Sequence, residues 1–263
     1  MIRIATVNVN GIRAAERKGL MPWLTERDCD VVAMQEVRAP DEIVHTLLAD
    51  SGYHVVHTEA NQKGRAGVLV ATRTKPTAVR IGLDESANDS GRWIEADLEI
   101  NGEKFTVVSV YVHSGEVGTT RQDDKFKFLD AMIVRLTELK KRRRHTVVMG
   151  DLNVGHTELD IKNWKANQKR SGFLPEERAY FDRFFGELGW VDVARHLAGE
   201  VPGPYTWWSQ RGQAFDNDTG WRIDYHVVTP KLAATAVKAT VDKAPSWDTR
   251  WSDHAPLVVD YDL

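Results

Sequence analysis

The chain predicts an α/β fold in four layers: two packed mixed β-sheets flanked by helices. Three observations carry this expectation. Apolar, strand-like runs recur from Arg3 to the last residue, helical patterns fall between them, and the runs divide into two similar halves. In the first half, strands are expected over residues 3–9, 31–35, 54–58, 67–72, 94–100 and 105–112. In the second half they are expected over 146–149, 191–192, 205–208, 222–228, 236–241 and 257–261. Helices are expected over 14–27, 41–49, 122–141 and 175–188, the last opening on Pro175, which suits a first helical turn. Strand-end residues of both halves would then collect along the edge between the sheets, in one shared cleft.

Composition narrows the class. With 263 residues and 42% hydrophobic content the chain can build a full globular core, and no linker-like stretch interrupts it, so one domain over residues 1–263 is expected. The start MIRIATVNV enters a β-like alternation directly, and no apolar run approaches the roughly 20 residues needed to cross a bilayer. A cytoplasmic monomer with no membrane partner is the expectation. Cys29 is the only cysteine, which excludes an internal disulfide and a thiolate metal cluster and reads as a small buried thiol. The net charge of −3 does not exclude a polyanionic partner, because a hydrolase of phosphodiesters needs carboxylates at its centre and cations at its rim. The basic run KKRRR at 140–144 follows a helical pattern and reads first as a dipole-compensating helix end, with a phosphate-contacting patch as the alternative.

The residues able to do chemistry sit where apolar runs give way to loops. Asn8 and Asn10 end the first run, Glu36 ends DVVAMQ, and Tyr111 ends TVVSV. Asp151 and Asn153 stand in GDLN after TVVM, Asp224 lies in WRIDY, and Asp253 and His254 lie in SDHAP before the last strand. In GDLN the glycine permits a tight turn, and an aspartate beside a carboxamide can hold and orient a water while exchanging its proton. A local hydrogen-bonded turn is the plainer alternative. A histidine ordinarily titrates near neutrality, and Asp224 is the candidate to orient His254. An acid such as Glu36 at the end of an apolar run suits a hard cation, magnesium or manganese, held by one or two carboxylates and water.

These segments together resemble the exonuclease III and apurinic/apyrimidinic endonuclease family, of the endonuclease/exonuclease/phosphatase superfamily, whose fold is of the DNase I type. The resemblance runs through NVNGIRAA, MQEVR, YVHSGE, GDLNV, GFLPEER, YTWW, FDNDTGWRIDY and SDHAP in order, essentially the whole chain. It implies that Glu36 binds a divalent metal with Asn8 close by, and that Asp253 supports a metal water or His254. Asp151 would activate the attacking water or protonate the leaving oxygen, with Asn153 positioning the water; both also count as candidate metal neighbours. Tyr111 would contact the phosphate, and His254, oriented by Asp224, would hydrogen-bond the phosphate or act as base.

The resemblance also implies a substrate: double-stranded DNA carrying abasic sites or 3′ ends. Trp207, Trp221 and Ile223 match a pocket that admits a baseless sugar, while Trp208 reads as core. Asn10, Arg13, Ser114 and Asn167 would contact the substrate, with Lys162, Lys165, Lys169 and Arg170 gripping the backbone around Asn167. The chain departs from the family's pattern at His113 and Ser114, where His113 could add a pH-sensitive contact. The expected activity is magnesium-dependent incision 5′ to abasic sites together with 3′→5′ exonuclease trimming. Two alternatives are a superfamily phosphatase or phosphodiesterase on a non-DNA substrate and a catalytically inactive nucleic-acid-binding regulator. The tryptophan pocket argues against the first, and the joint presence of Glu36, Asp151, Asp224 and His254 against the second.

Overall fold

In the computed structural model, which describes residues 1–84 and 90–263, two six-stranded sheets pack face to face. The first has the order β13 (Ala236–Val241), β14 (Leu257–Tyr261), β1 (Ile2–Asn8), β2 (Val31–Gln35), β4 (Val68–Thr72), β3 (His54–Thr58). The second has the order β5 (Ala78–Ile81), β6 (Trp93–Ile100), β7 (Glu103–Tyr111), β8 (His145–Asp151), β12 (Asp224–Val228), β9 (Val191–Asp192). Each sheet has one parallel pair near its middle, β1 with β2 and β7 with β8, and antiparallel neighbours elsewhere. The architecture is the expected one.

Strand periodicity explains the layers. Ile2, Ile4, Val31 and Ala33 face Val107, Val147 and Met149 across the central core, while the alternate residues Ala5, Val7, Val32 and Met34 point outward. Those outward residues are covered by α1 (Ile12–Lys18), α2 (Leu20–Arg27) and α3 (Asp41–Leu48). On the other side Val108, Val110 and Val148 pack under α4 (Thr120–Lys141) and α6 (Pro175–Asp182), through Phe128, Leu129, Met132 and Phe181. Strands buried on both faces read as continuous apolar runs, which is why they were legible as strands without a polar alternation.

The inner face changes character along the strands. Beyond Ile2 and Ile4 in β1 come Thr6 and Asn8, beyond Ala33 comes Gln35, and beyond Val107 come Ser109 and Tyr111. Buried Gln35 joins the sheets there, its amide donating to Thr6 Oγ1 (3.0 Å) and Ser109 Oγ (3.1 Å). The apolar core therefore ends in a hydrogen-bonded layer, and the next residues on the same faces form the floor of a cleft.

Several expectations need correction. The helix expected over 14–27 is two helices, because Gly19 takes φ 127, a left-handed value that ends one and turns the chain into the next. The strand expected over 205–208 shrinks to β10 (Trp207–Trp208), which pairs with β11 (Gly220–Trp221) in a ribbon separate from both sheets. The edge strand β5 went unpredicted, since its outward residues give no alternation; pairing with β6 forms it. Short helices α5 (Trp164–Asn167), α7 (Val193–Ala198) and α8 (Pro230–Ala233) also carry too few residues for a periodic signal. Gly150 is not a turn glycine: it lies inside β8 with φ 150, where a Cβ would stand 1.9 Å from the Val110 carbonyl oxygen.

Candidate active site

The cleft opens where β1, β2, β7, β8 and β12 end together, and encloses about 480 Å³. At its centre Asp151 is buried and held from two sides. Asn8 Nδ2 donates to its Oδ2 (2.9 Å), and the Asn153 backbone N–H donates to its Oδ1 (2.9 Å), so β1 of one sheet fixes a carboxylate of the other. Asp224 is the direct partner of Asp151 in the β8–β12 ladder. Its Oδ2 accepts from His254 Nδ1 at 2.9 Å, which leaves His254 Nε2 facing Asp151 Oδ2 at 3.7 Å. His254 is itself anchored by the bridge between its backbone and Trp207 and by Ser252, whose hydroxyl caps the Asn8 carbonyl at 2.6 Å.

The charges are coupled through this arrangement. Burial opposes protonation of His254, but the carboxylates of Asp224 and Asp151 outweigh it and hold the imidazole up to about 10. Burial pushes the Asp151 carboxyl up to about 7; the His254 cation pulls the other way, while Asp224 adds to the rise. Asp224 Oδ1 is buried with no hydrogen-bond partner among the described residues, so its charge is balanced through His254.

A second group lies across the cleft floor. Glu36 accepts a short hydrogen bond from the Tyr111 hydroxyl and pairs with Arg38, whose Nη1 donates to Asn10 Oδ1 at 2.7 Å. Asn10 Nδ2 in turn donates to Asp253 Oδ1 (2.9 Å), and Trp207 Nε1 donates to Asp253 Oδ2 (3.2 Å). Asp253 thus ties Asn10 to Trp207, and its charge adds to the rise of His254. Asn10, Glu36, Arg38 and Asn153 all have φ between 46 and 51, left-handed values that cost non-glycine residues about 1 to 3 kcal/mol each and concentrate at functional sites. Tyr111 lies under Arg92, whose Nη1 donates to the Tyr111 carbonyl (3.2 Å).

The far wall is apolar. Trp207 and Trp221 meet edge to face, 5.9 Å apart at 85°, with Ile223 beside them. Gly172 faces Trp221, where a Cβ would come within 2.8 Å of the indole. Asn153, whose Nδ2 donates to the Val112 carbonyl (2.9 Å), and Ser114 complete the rim.

Of the residues read from the sequence, Asn10, Glu36, Tyr111, Ser114, Asp151, Asn153, Trp207, Trp221, Ile223, Asp253 and His254 line this one cleft. Asn8 and Asp224 stand directly behind it. Arg13 lies outside, in adjoining grooves with Arg38 and Gly64. Asn167 is buried in α5 with its amide donating to the Asn163 carbonyl (2.8 Å), away from the cleft walls. His113 packs edge-on against Phe128 and is not among the residues lining the cleft. Arg38, Arg65, Gly115, Ser171 and Gly172 line the cleft without having been singled out. Arg38 had a signal, a cation two residues beyond the acid that ends β2; Arg65 comes from a loop with none.

Among the described residues no three His, Cys, Asp or Glu side chains converge as a protein-only metal cage. The donors present are carboxylate and amide oxygens around Glu36, Asn8 and Asp151, a set that fits a hard cation keeping most of its water.

Comparison with known proteins identifies the family and the fold. The profile of the Endonuclease/Exonuclease/phosphatase family matches residues 5–254. An exodeoxyribonuclease of Bacillus subtilis (strain 168) is 36% identical over 258 residues, 97% of this chain and 98% of that protein. A DNA-(apurinic or apyrimidinic site) endonuclease of Dictyostelium discoideum is 33% identical over all of this chain and 71% of its own length. The structure of an AP endonuclease from Archaeoglobus fulgidus superposes with a TM-score of 0.87, covering both chains completely at 31% identity. The chain belongs to the endonuclease/exonuclease/phosphatase family and, within it, to the exodeoxyribonuclease and AP endonuclease group of hydrolytic nucleases.

Proposed function

We propose that the chain is a DNA repair nuclease that hydrolyses the phosphodiester 5′ to an abasic site in duplex DNA and trims 3′ ends, with magnesium as the working cation and manganese as a substitute. The observation that carries this reading is His254 held between Asp224 and Asp151, opposite Glu36 and beside a tryptophan wall. Water attacks phosphorus, a P–O bond forms, the P–O3′ bond breaks, and a proton reaches the departing 3′ oxygen. Asp151, fixed by Asn8 and the Asn153 N–H, would take the proton of the attacking water or give one to the leaving 3′ oxygen. His254, flanked by carboxylates on both ring nitrogens, would stay an imidazolium and donate to a phosphate oxygen, while Tyr111, once Glu36 turns to the cation, would donate its one proton to another. Glu36, with Asn8 close by, would hold the cation, which neutralises charge on the phosphate.

Trp207, Trp221 and Ile223 would receive the extruded sugar, since unstacking costs least where the base is already missing. The buried thiol of Cys29, pushed up to about 12 by burial, is unreactive and suits a reducing cytoplasm. Among the described residues no helix is long and apolar enough to cross a membrane. The test is incubation of the purified protein with an abasic-site duplex, an intact 3′ end and a 3′-phosphate, with magnesium and then with EDTA. Incision 5′ to the lesion that EDTA abolishes is expected; an uncut abasic duplex in magnesium overturns the reading.

A further inference from the structure

The basic run at 140–144 has no part in the cleft. α4 ends at Lys141, and the run turns into β8 along a groove of about 500 Å³ that also takes in the β6–β7 turn and the start of α8. Six cations line it, Lys104, Lys140, Arg142, Arg143, Arg144 and Lys231, against the single acid Glu103, in a chain whose total charge is −3. Three of the six are engaged within the fold. Arg142 pairs with Asp97 (3.0 Å), Arg144 donates to the Phe105 carbonyl (3.2 Å), and Lys140 donates to the Leu188 carbonyl. Glu103 is opposed by His145 at 3.3 Å. Lys104, Arg143 and Lys231 remain exposed, with no side-chain hydrogen bond or ion pair among the described residues.

The groove and the cleft occupy opposite ends of one sheet. β8 runs from His145 at the groove to Asp151 in the cleft, seven residues and so about 20 Å at about 3.3 Å each. The two share no lining residue. The lining offers ammonium and guanidinium donors and, besides their stems, only Pro230 as an apolar side chain. A protein partner would find no anchor for a buried aromatic or aliphatic contact, whereas phosphate oxygens match these donors directly. We propose that this groove is a second phosphate-binding site, taking the backbone of a nucleic-acid segment other than the one in the cleft. The proposal rests on the nuclease reading for its partner. Its consequence is a tether: the enzyme can hold one segment while sampling another, as sequence-independent phosphate contacts allow.

The test uses the full chain with its cleft occupied by one molar equivalent of an unlabelled short abasic-site duplex in EDTA, titrated with a labelled unmodified duplex at several salt concentrations. Wild type is expected to bind the labelled duplex with a log K against log [salt] slope of about −3, one phosphate for each free cation. Lys104→Glu/Arg143→Glu/Lys231→Glu should abolish this second binding, and the matching Gln substitutions should weaken it and flatten the slope. Neither change should alter the incision rate on a short abasic duplex in magnesium. Wild type so occupied that binds no labelled duplex, or a triple variant that binds it equally well, overturns the groove. A wild type that binds the labelled duplex yet never cuts the abasic one overturns the nuclease reading and leaves the groove standing.

Discussion

Asp151 receives an amide from β1, a backbone N–H from its own turn and the field of an imidazolium from the SDHAP loop, so its position depends on three separate segments. Removing its charge should cost catalysis and little stability, because one of its two donors, Asn8 Nδ2 or the Asn153 N–H, can still bond the amide oxygen and no carboxylate charge is left buried. Asp151→Asn is expected to lower single-turnover incision by about 10²- to 10⁴-fold with an unchanged melting temperature. A variant that cuts like wild type would show that this carboxylate moves no proton. At residue scale the sequence showed which types of group were present and that each ended a strand. Whether each entered the cleft was not legible: Asn153 and Ser114 do, while Asn167 in the short helix α5 and His113, equally polar, turn into the fold. Loop side chains have no periodicity from which to read a direction.

At the scale of elements, β8 is the member most constrained by its neighbours. Gly150 sits opposite Val110 in the β7–β8 ladder, and any side chain there must push the strands apart just before Asp151. Gly150→Ala is expected to destabilise the protein by about 4 kcal/mol or more, as a shift in the urea midpoint, since both overpacking and a left-handed φ act together. A shift below 1 kcal/mol would mean the ladder can open there at little cost. A second constraint lies beneath the cleft rim, where buried Lys125 and Glu177 pair and hold the Asn153 carbonyl and the Gly172 N–H. Nothing in the strand and helix patterns announces that pair; it arises because α4 and α6 pack side by side under the same loops. Long buried strands and the 22-residue α4 were legible from their patterns, whereas β5, α5, α7 and the break at Gly19 depend on pairing or on a single φ angle.

For the molecule as a whole, acid should be destabilising through His226. Burial lowers its pKa to about 3, and its ring meets the Tyr261 hydroxyl between β12 and β14 (3.2 Å), where the two sheets face each other. The folded value lies below the unfolded value of about 6.5, so the unfolded chain takes up the proton first. This contribution to stability is present above pH 6.5 and is lost as the pH falls toward 3, by at most about 1.4 kcal/mol per pH unit. Urea unfolding across this range should show the loss, and His226→Gln should flatten it. A His226→Gln profile as steep as that of wild type would assign the acid sensitivity to other groups.

By itself the sequence determined the layered α/β class, all the sheet strands but β5 and the family, because apolar periodicity and the order of short motifs are properties of the chain alone. Only the tertiary structure decided that Asn8 holds Asp151, that Asp253 serves Asn10 and Trp207, and that the basic run faces away from the cleft. Those relations join residues up to 243 positions apart, and their geometry follows from how two sheets stack and where their strands end, which no local pattern encodes.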